Sequence, residues 1–396
     1  MHNLAKPHRL IPLLAGLQAF GPLSIDMYLP ALPAIARDLS TTETIAQQSV
    51  TSFLIGLFIG LLFYGPLSDK YGRQKLLIGG ITLYLFASIA CMQVNTAENL
   101  LIWRFIQALG GASATVIGRA IIRDIFPVHE AARALSLMHL VTMLATLSAP
   151  LLASYVLLIG TWRWLFAGLI AYSAVLLFLT VLKIPETHQG NSRKSSIAGV
   201  YLAYLKIMCE IKALGYILCM SICFAGMFAY LTVSSFVFID FFGLTPQQYA
   251  WVFSLNIIGV MALVILNARL VTVVGTQNML NYFALLCGFS GLLLLFSGFT
   301  GIGGIWLVIL GLFGFISCTG VLGANCIASL MRLYPDNAGA AAGLAVAAQF
   351  GLGALLSLLV SNLYDGTDFY MSIVVGLCGI GSLIALLLTR KSAKSV

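Results

Sequence analysis

Charge is what this chain has least of. Only 9% of its 396 residues are charged, while 60% are hydrophobic. Soluble domains carry about 25% charged residues, so this composition cannot clothe a water-facing surface. A soluble enzyme and a soluble DNA-binding domain are thereby excluded. Catalytic signatures are missing as well. There is no HExxH for a metalloprotease, no GxSxG for a serine hydrolase and no P-loop for nucleotide-driven work. The eight cysteines fall mostly in apolar runs, with no CxxC pair and no histidine spacing that suits zinc. They read as small core residues, and no metal site is expected. The opening residues, MHNLAKPHRL, lead into an apolar stretch with no small-residue cleavage site, so this first stretch is expected to remain in the protein.

What is present is apolar sequence in long blocks. A membrane-crossing helix needs about 20 residues. Twelve blocks of that size lie at 10–32, 45–66, 76–94, 99–121, 133–159, 163–184, 213–239, 249–271, 278–298, 303–331, 338–361 and 368–389. They are continuous rather than alternating, which favours helices over barrel strands. The expected fold class is an all-α membrane protein with twelve transmembrane helices in two six-helix, pseudo-symmetric halves. The longest polar stretch, 185–212, divides the chain into an N-terminal half at 1–190, a cytoplasmic linker at 191–212 with room for an amphipathic helix, and a C-terminal half at 213–396.

The net charge of +8, from 21 basic and 13 acidic residues, is explained by topology. With the N-terminus inside, 18 of the 21 cations fall on the inner side, leaving Arg37, Arg104 and Arg163. This places both termini in the cytoplasm and removes the case for a nucleic-acid partner; the lipid bilayer is the expected surroundings. The halves also carry a weak repeat. Leu67 and Gly72 after the second block match Leu270 and Gly275 after the eighth at the same spacing. Parallel repeats of this kind occur in secondary transporters, whose substrate site lies between the halves.

Inside the membrane the sequence retains two conspicuous ionisable groups. Asp26 is the only carboxylate more than about a turn inside any block, and burying it ionised costs about 2.5–3.5 kcal/mol on insertion scales. An acid kept at that cost fits a group that loads a proton on one side and loses it on the other, with a structural acid hydrogen-bonded near the outer end of the first span as the alternative. Arg104 is its expected complement, since both lie about 6–8 Å below the outer boundary by helical rise, with snorkelling to the outer headgroups as the alternative. The two are expected to pair when Asp26 is ionised and to separate on protonation or substrate binding. Gln107 lies one turn from Arg104 and Gln18 two turns from Asp26, so both are placed at the same cavity. Tyr230, Ser234 and Asn325 are polar positions on later spans, with interhelical hydrogen bonding as the alternative use. Phe228 and Phe236 offer rings on which a drug could stack, with packing against lipid as the commoner use of such rings.

The segment GPLSDKYGRQK, Gly65 to Lys75, resembles the G-x-L-[SA]-D-R-x-G-R-[KR] loop of the major facilitator superfamily, departing with Lys70 for the usual first arginine and Gln74 before Lys75. SIDMYLPALP (24–33), RFIQALGGASA (104–114), RAIIRDIFP (119–127), TWRWLF (161–166), IPET (184–187), FAGMFAYLTVSSFVFI (224–239) and LNARLV (266–271) extend the resemblance to the bicyclomycin-resistance, or Bcr/CflA, group of drug/proton antiporters. The fifth-helix G-P-x-x-G signature stands here as Ala149-Pro150-Leu151-Leu152-Ala153, with small residues for glycine. The resemblance implies proton-coupled efflux of small drug-like compounds across the bacterial inner membrane by alternating access, with no cofactor beyond the proton gradient, and a monomer. It gives Gly65, Asp69, Gly72, Arg73 and Lys75 a gating role, Asp69 facing the start of the eleventh helix near Ala338 and Gly339. The alternative on the same fold is a uniporter or importer of a small metabolite. An enzyme is not expected.

Overall fold

The structure is a computed structural model that describes residues 10–187 and 197–391. Lys6, Arg9, Arg193, Lys194 and Lys394, counted above among the inner cations, lie outside the described residues, as do residues 191–196 of the expected linker. Among the described residues the regular structure is helical: α1 (Ile11–Gln18), α2 (Phe20–Asp26), α3 (Leu32–Asp38), α4 (Glu43–Tyr71), α5 (Arg73–Gln93), α6 (Ala97–Ile125), α7 (Val128–Ile159), α8 (Arg163–Lys183), α9 (Ile197–Cys209), α10 (Ile211–Ser235), α11 (Pro246–Val274), α12 (Thr276–Thr300), α13 (Gly304–Leu333), α14 (Ala338–Leu363) and α15 (Phe369–Lys391). Among the described residues, eleven helices are long and apolar enough to cross a membrane. They correspond to the second through twelfth blocks of the sequence.

The first block departs from expectation. A single helix over 10–32 is replaced by α1, α2 and a 3-10 turn at Leu29–Ala31. Proline chemistry accounts for this. In an unbroken helix the carbonyls of Gln18 and Asp26 would accept from residues 22 and 30, but both are prolines and have no N–H to give. The backbone tightens instead, and the Tyr28 amide donates to the carbonyl of Ile25, three residues back, at 3.0 Å. α10 is also modified at its end, where a π-helical turn, Phe236–Phe241, continues it.

The chain divides into two compact units: residues 1–41 with 52–195, and residues 42–51 with 196–396. The first unit is built on a core of Leu14, Leu17, Phe20, Ile81, Tyr84 and Ile117, all at most 1% exposed. Phe20 sets its ring edge-on to Tyr84, with centroids 4.5 Å apart, and to Tyr172 at 5.4 Å. α5 and α6 approach closely because Gly110 has no side chain; a Cβ there would lie 2.6 Å from the Tyr84 amide nitrogen. Such small-residue contacts are how membrane helices pack where apolar burial offers no driving force.

The second unit is organised around α10, which is mostly buried and lies against α13, α14 and α15. α9, in the region expected to hold an amphipathic helix, exposes Leu202, Leu205 and Met208 on one side and buries Ile207. The sequence repeat has a backbone counterpart. Gly72, between α4 and α5, has φ 98° and ψ 147°, and Gly275, between α11 and α12, has φ 86° and ψ 147°. Both turns use a backbone region that glycine alone adopts at little cost.

Candidate functional site

The break at the end of α2 creates the central feature of the first unit. The Tyr28 amide has turned to Ile25, so the Ser24 carbonyl has no helical donor. Arg104 on α6 fills the vacancy, its Nη2 donating to the Ser24 carbonyl at 3.0 Å. Its Nη1 donates to Gln107 Oε1 at 2.7 Å, one turn along the same helix. The guanidinium lies 4.3 Å from the ring centroids of both Tyr28 and Phe53. Arg104 is completely buried, and its Nε has no hydrogen-bond partner. Cation–π contacts with two rings and two hydrogen bonds replace the water it has lost.

The network continues in a defined sense. Gln107 Nε2 donates to Ser88 Oγ at 2.8 Å, and Ser88 donates to the Tyr84 carbonyl at 2.8 Å. The single hydroxyl proton of Ser24 goes to the Phe20 carbonyl at 2.6 Å. Tyr84 must therefore donate in its 2.6 Å contact with Ser24 Oγ. Three helices, α2, α5 and α6, are joined by neutral groups surrounding one cation.

Asp26 is buried two residues beyond Ser24. Its carboxyl is hydrogen-bonded by the Thr146 hydroxyl of α7. Among the described residues it forms no ion pair, and neither does Arg104. The structure thus brings Arg104 and Gln107 together and holds Asp26 in the next turn of chain, engaged separately. Gln18 does not join them, and its buried Oε1 has no hydrogen-bond partner.

The loop resembling a gating motif forms a second polar centre. Gly72 takes the positive φ that lets α5 start directly after α4. Arg73 then ties three acids together. Its Nη1 lies 2.6 Å from Asp69 Oδ1 and its Nε 3.1 Å from Asp124 Oδ2 on α6. Its backbone amide donates to Glu186 Oε1 at 2.9 Å, and that of Gln74 to Glu186 Oε2 at 3.3 Å. Glu186 therefore sits as a carboxylate on the first amides of α5, where the helix dipole favours an anion. A Cβ on Gly72 would lie 2.5 Å from Glu186 Oε2. Lys75 is exposed one turn further on, and Gly65 lies half-buried within α4.

A third cluster closes the far end of the unit. Asp38 Oδ2, at the end of α3, accepts from Arg163 Nη1 at 2.5 Å and Trp162 Nε1 at 2.9 Å. These two donors, Arg163 first, hold its carboxyl below the usual aspartate range. Arg163 Nη2 also donates to the Val94 carbonyl at 3.1 Å, tying α3, α5 and α8.

In the second unit the predicted cavity residues are packed among helices. Tyr230 Oη accepts from Asn256 Nδ2 at 3.3 Å, Ser234 shares a 2.7 Å hydrogen bond with Tyr249, and Asn325 Nδ2 donates to Asn267 Oδ1 at 2.9 Å. Phe228 stacks against Phe350 at 5.4 Å and Phe236 against Tyr364 at 6.2 Å. All five are buried. A hydroxyl chain runs from Thr51 to Ser357 at 2.5 Å and on to Thr232 at 2.7 Å.

Sequence reasoning missed Tyr28, Phe53, Tyr84 and Ser88 around Arg104, Thr146 at Asp26, and Glu186 as a cap on α5. Neutral side chains on apolar helices give no signal of their own. Glu186 could have been found as an acid close after the last residue of a span, but its partner lies 113 positions earlier.

The profile of the Major Facilitator Superfamily matches residues 14–358. The chain is 30% identical to a bicyclomycin resistance protein homolog of Haemophilus influenzae, over 94% of each chain. It is 34% identical to the multidrug resistance protein MdtL of Klebsiella pneumoniae, over 42% of each. Among solved structures it is similar to the xylose transporter XylE of E. coli, with a TM-score of 0.72 at 16% identity, covering 96% of each chain. The nucleoside transporter NupG gives 0.74 at 14%, covering 98% of this chain and 99% of that one. At such identities the structures speak for the fold alone.

Proposed function

Because the chain belongs to the major facilitator superfamily and is a multi-pass membrane transporter of small molecules rather than an enzyme, we propose that it exports small drug-like compounds across the bacterial inner membrane in exchange for protons. The bicyclomycin and multidrug resistance relatives support drug efflux. The lopsided distribution of Lys and Arg supports cytoplasmic termini. The protein is expected to act as a monomer, with the proton gradient as driving force and no cofactor.

One observation carries the proton-coupled part of this reading. Asp26 is a buried carboxyl whose described partner is a hydroxyl rather than a cation. An ionised acid there is costly, and protonation relieves the cost. Thr146 offers a donor to the ionised form, so both protonation states have a place. Arg104 supplies a fixed positive charge near the same broken helix. In the proposed cycle, ionised Asp26 draws Arg104 from the Ser24 carbonyl, and a proton or substrate releases it. Asp69, Arg73 and Asp124 then act at the gating loop as the two halves alternate access.

The test is a susceptibility and efflux panel in an efflux-deficient bacterial host, run with the wild-type chain and Asp26→Asn, each with and without a protonophore. Energy-dependent exclusion of at least one compound by wild type, lost in Asp26→Asn at equal membrane abundance, is expected. A panel in which no compound distinguishes the two chains overturns the reading. Protonophore-insensitive uptake of a metabolite would establish the uniporter alternative.

A further inference from the structure

Cysteine is concentrated in the second unit. Six of the eight, Cys219, Cys223, Cys287, Cys318, Cys326 and Cys378, are buried on α10, α12, α13 and α15. Two of them meet. Cys223 Sγ on α10 lies 3.8 Å from Cys287 Sγ on α12, with both side chains wholly buried. The contact is held in place by helix packing. A Cβ on Gly379 of α15 would lie 2.6 Å from the Cys287 carbonyl oxygen, and one on Gly226 of α10 would lie 2.7 Å from Cys378 Cβ. The absence of those two side chains lets α10, α12 and α15 close around the thiol pair.

We infer that Cys223 and Cys287 form a dithiol site for a soft divalent cation of low coordination demand, of which the mercuric ion is the representative. Geometry, ligand number and charge agree on this class. Metal–thiolate bonds of about 2.3 Å at a tetrahedral angle put two sulfurs about 3.8 Å apart, and a linear arrangement puts them about 4.6 Å apart. Either needs at most a shift of under about 1 Å in the side chains. Among the described residues no group of three or more His, Cys, Asp or Glu could hold a metal, so the four-ligand set that zinc demands is not available. A cation satisfied by two soft sulfurs is selected instead.

Charge settles the valence. Buried charge is tolerated only when compensated, and two thiolates neutralise a divalent ion completely. Mercuric chloride, itself neutral, reacts with the two thiols so that two Hg–S bonds form, two S–H and two Hg–Cl bonds break, and two protons and two chlorides leave. No oxidation state changes. The product bridges α10 to α12 within the second unit.

The test uses the full-length protein in detergent, loaded with mercuric chloride, washed with excess 2-mercaptoethanol to strip singly bound mercury, and assayed for retained mercury per chain. Cys223→Ser and Cys287→Ser should each lose one retained equivalent, and the double variant should lose that same single equivalent. Cys209→Ser, at the exposed cysteine, should lose none. Retention should strengthen as pH rises, because two protons are released. Unchanged retention in both single variants overturns the site. So does a double variant that loses the sum of two independent equivalents, which would mean two separate thiols. Monodispersity on size exclusion identifies a variant that has misfolded, and the other single variant then reads the same site.

Discussion

Arg104 donates from Nη2 to the backbone carbonyl of Ser24 at 3.0 Å, at the helix break ahead of Pro30 and two residues from Asp26. The cation and the acid share one irregular turn without sharing an ion pair. Irregular backbone at membrane depth is tolerated where side chains satisfy the freed groups, and here an arginine does so.

Arg104→Lys should fail although it preserves charge. A lysine ammonium lacks the planar fork that serves the Ser24 carbonyl and Gln107 Oε1 together while meeting the rings of Tyr28 and Phe53. Arg104→Ala leaves both acceptors buried and unpaired, at about 1–3 kcal/mol each. Efflux assays at matched membrane abundance should show at least about a tenfold loss for either variant, the equivalent of about 1.4 kcal/mol. Thermal melting in detergent should fall further for Ala than for Lys.

Asp26→Asn resembles the protonated acid and cannot release a proton. Substrate exchange that needs no proton movement should persist in proteoliposomes, while transport driven by an imposed pH gradient should vanish. Loss of both activities together with a lowered melting temperature would point to a structural role for Asp26.

Tyr84→Phe removes one hydroxyl and leaves the edge-on contact with Phe20. Its loss of stability should be about 0.5–1.5 kcal/mol, the net value of one hydrogen bond. Tyr84→Ala opens a cavity in the core and should cost about 3–5 kcal/mol. Chemical denaturation of the two variants side by side measures the difference.

Glu186→Ala uncovers the first amides of α5 and should cost about 0.5–2 kcal/mol, as other N-terminal cap losses do. Gly72→Ala should be worse than its small size suggests, because a positive φ and the Glu186 carboxylate both oppose a Cβ. A second substitution, Glu186→Ala in the Gly72→Ala background, should therefore cost less than it does in wild type. A double-mutant cycle on melting temperature reads this coupling.

Asp38 gives a pH signature. Its folded-state carboxyl titrates below the ordinary aspartate value of 3.8, so its pairing with Arg163 and Trp162 contributes stability above that pH and loses it as pH falls through the lower, folded value. The melting difference between wild type and Asp38→Asn should be constant near neutrality and shrink toward zero under strong acid. Both partners are partly exposed, so added salt should also reduce it.

Sequence alone determined the solvent and the class of fold. A chain with so little charge must be solvated by lipid, and continuous apolar blocks long enough to cross must be helices, because each backbone donor has to be satisfied within its own segment. It also isolated Asp26 and Arg104, since buried ionisable groups stand out where nearly everything is apolar. Composition could not decide what those two groups touch. The partners of Arg104 are a backbone carbonyl, an amide and two aromatic rings, and Glu186 reaches the start of α5 from the other end of the same unit. Tyr230, Ser234 and Asn325 show the same limit, for a polar residue in a membrane helix reads alike whether it meets a substrate or a neighbouring helix. Only packing brings such groups within hydrogen-bond distance, and packing is set by glycines, prolines and ring shapes acting across helices far apart in sequence.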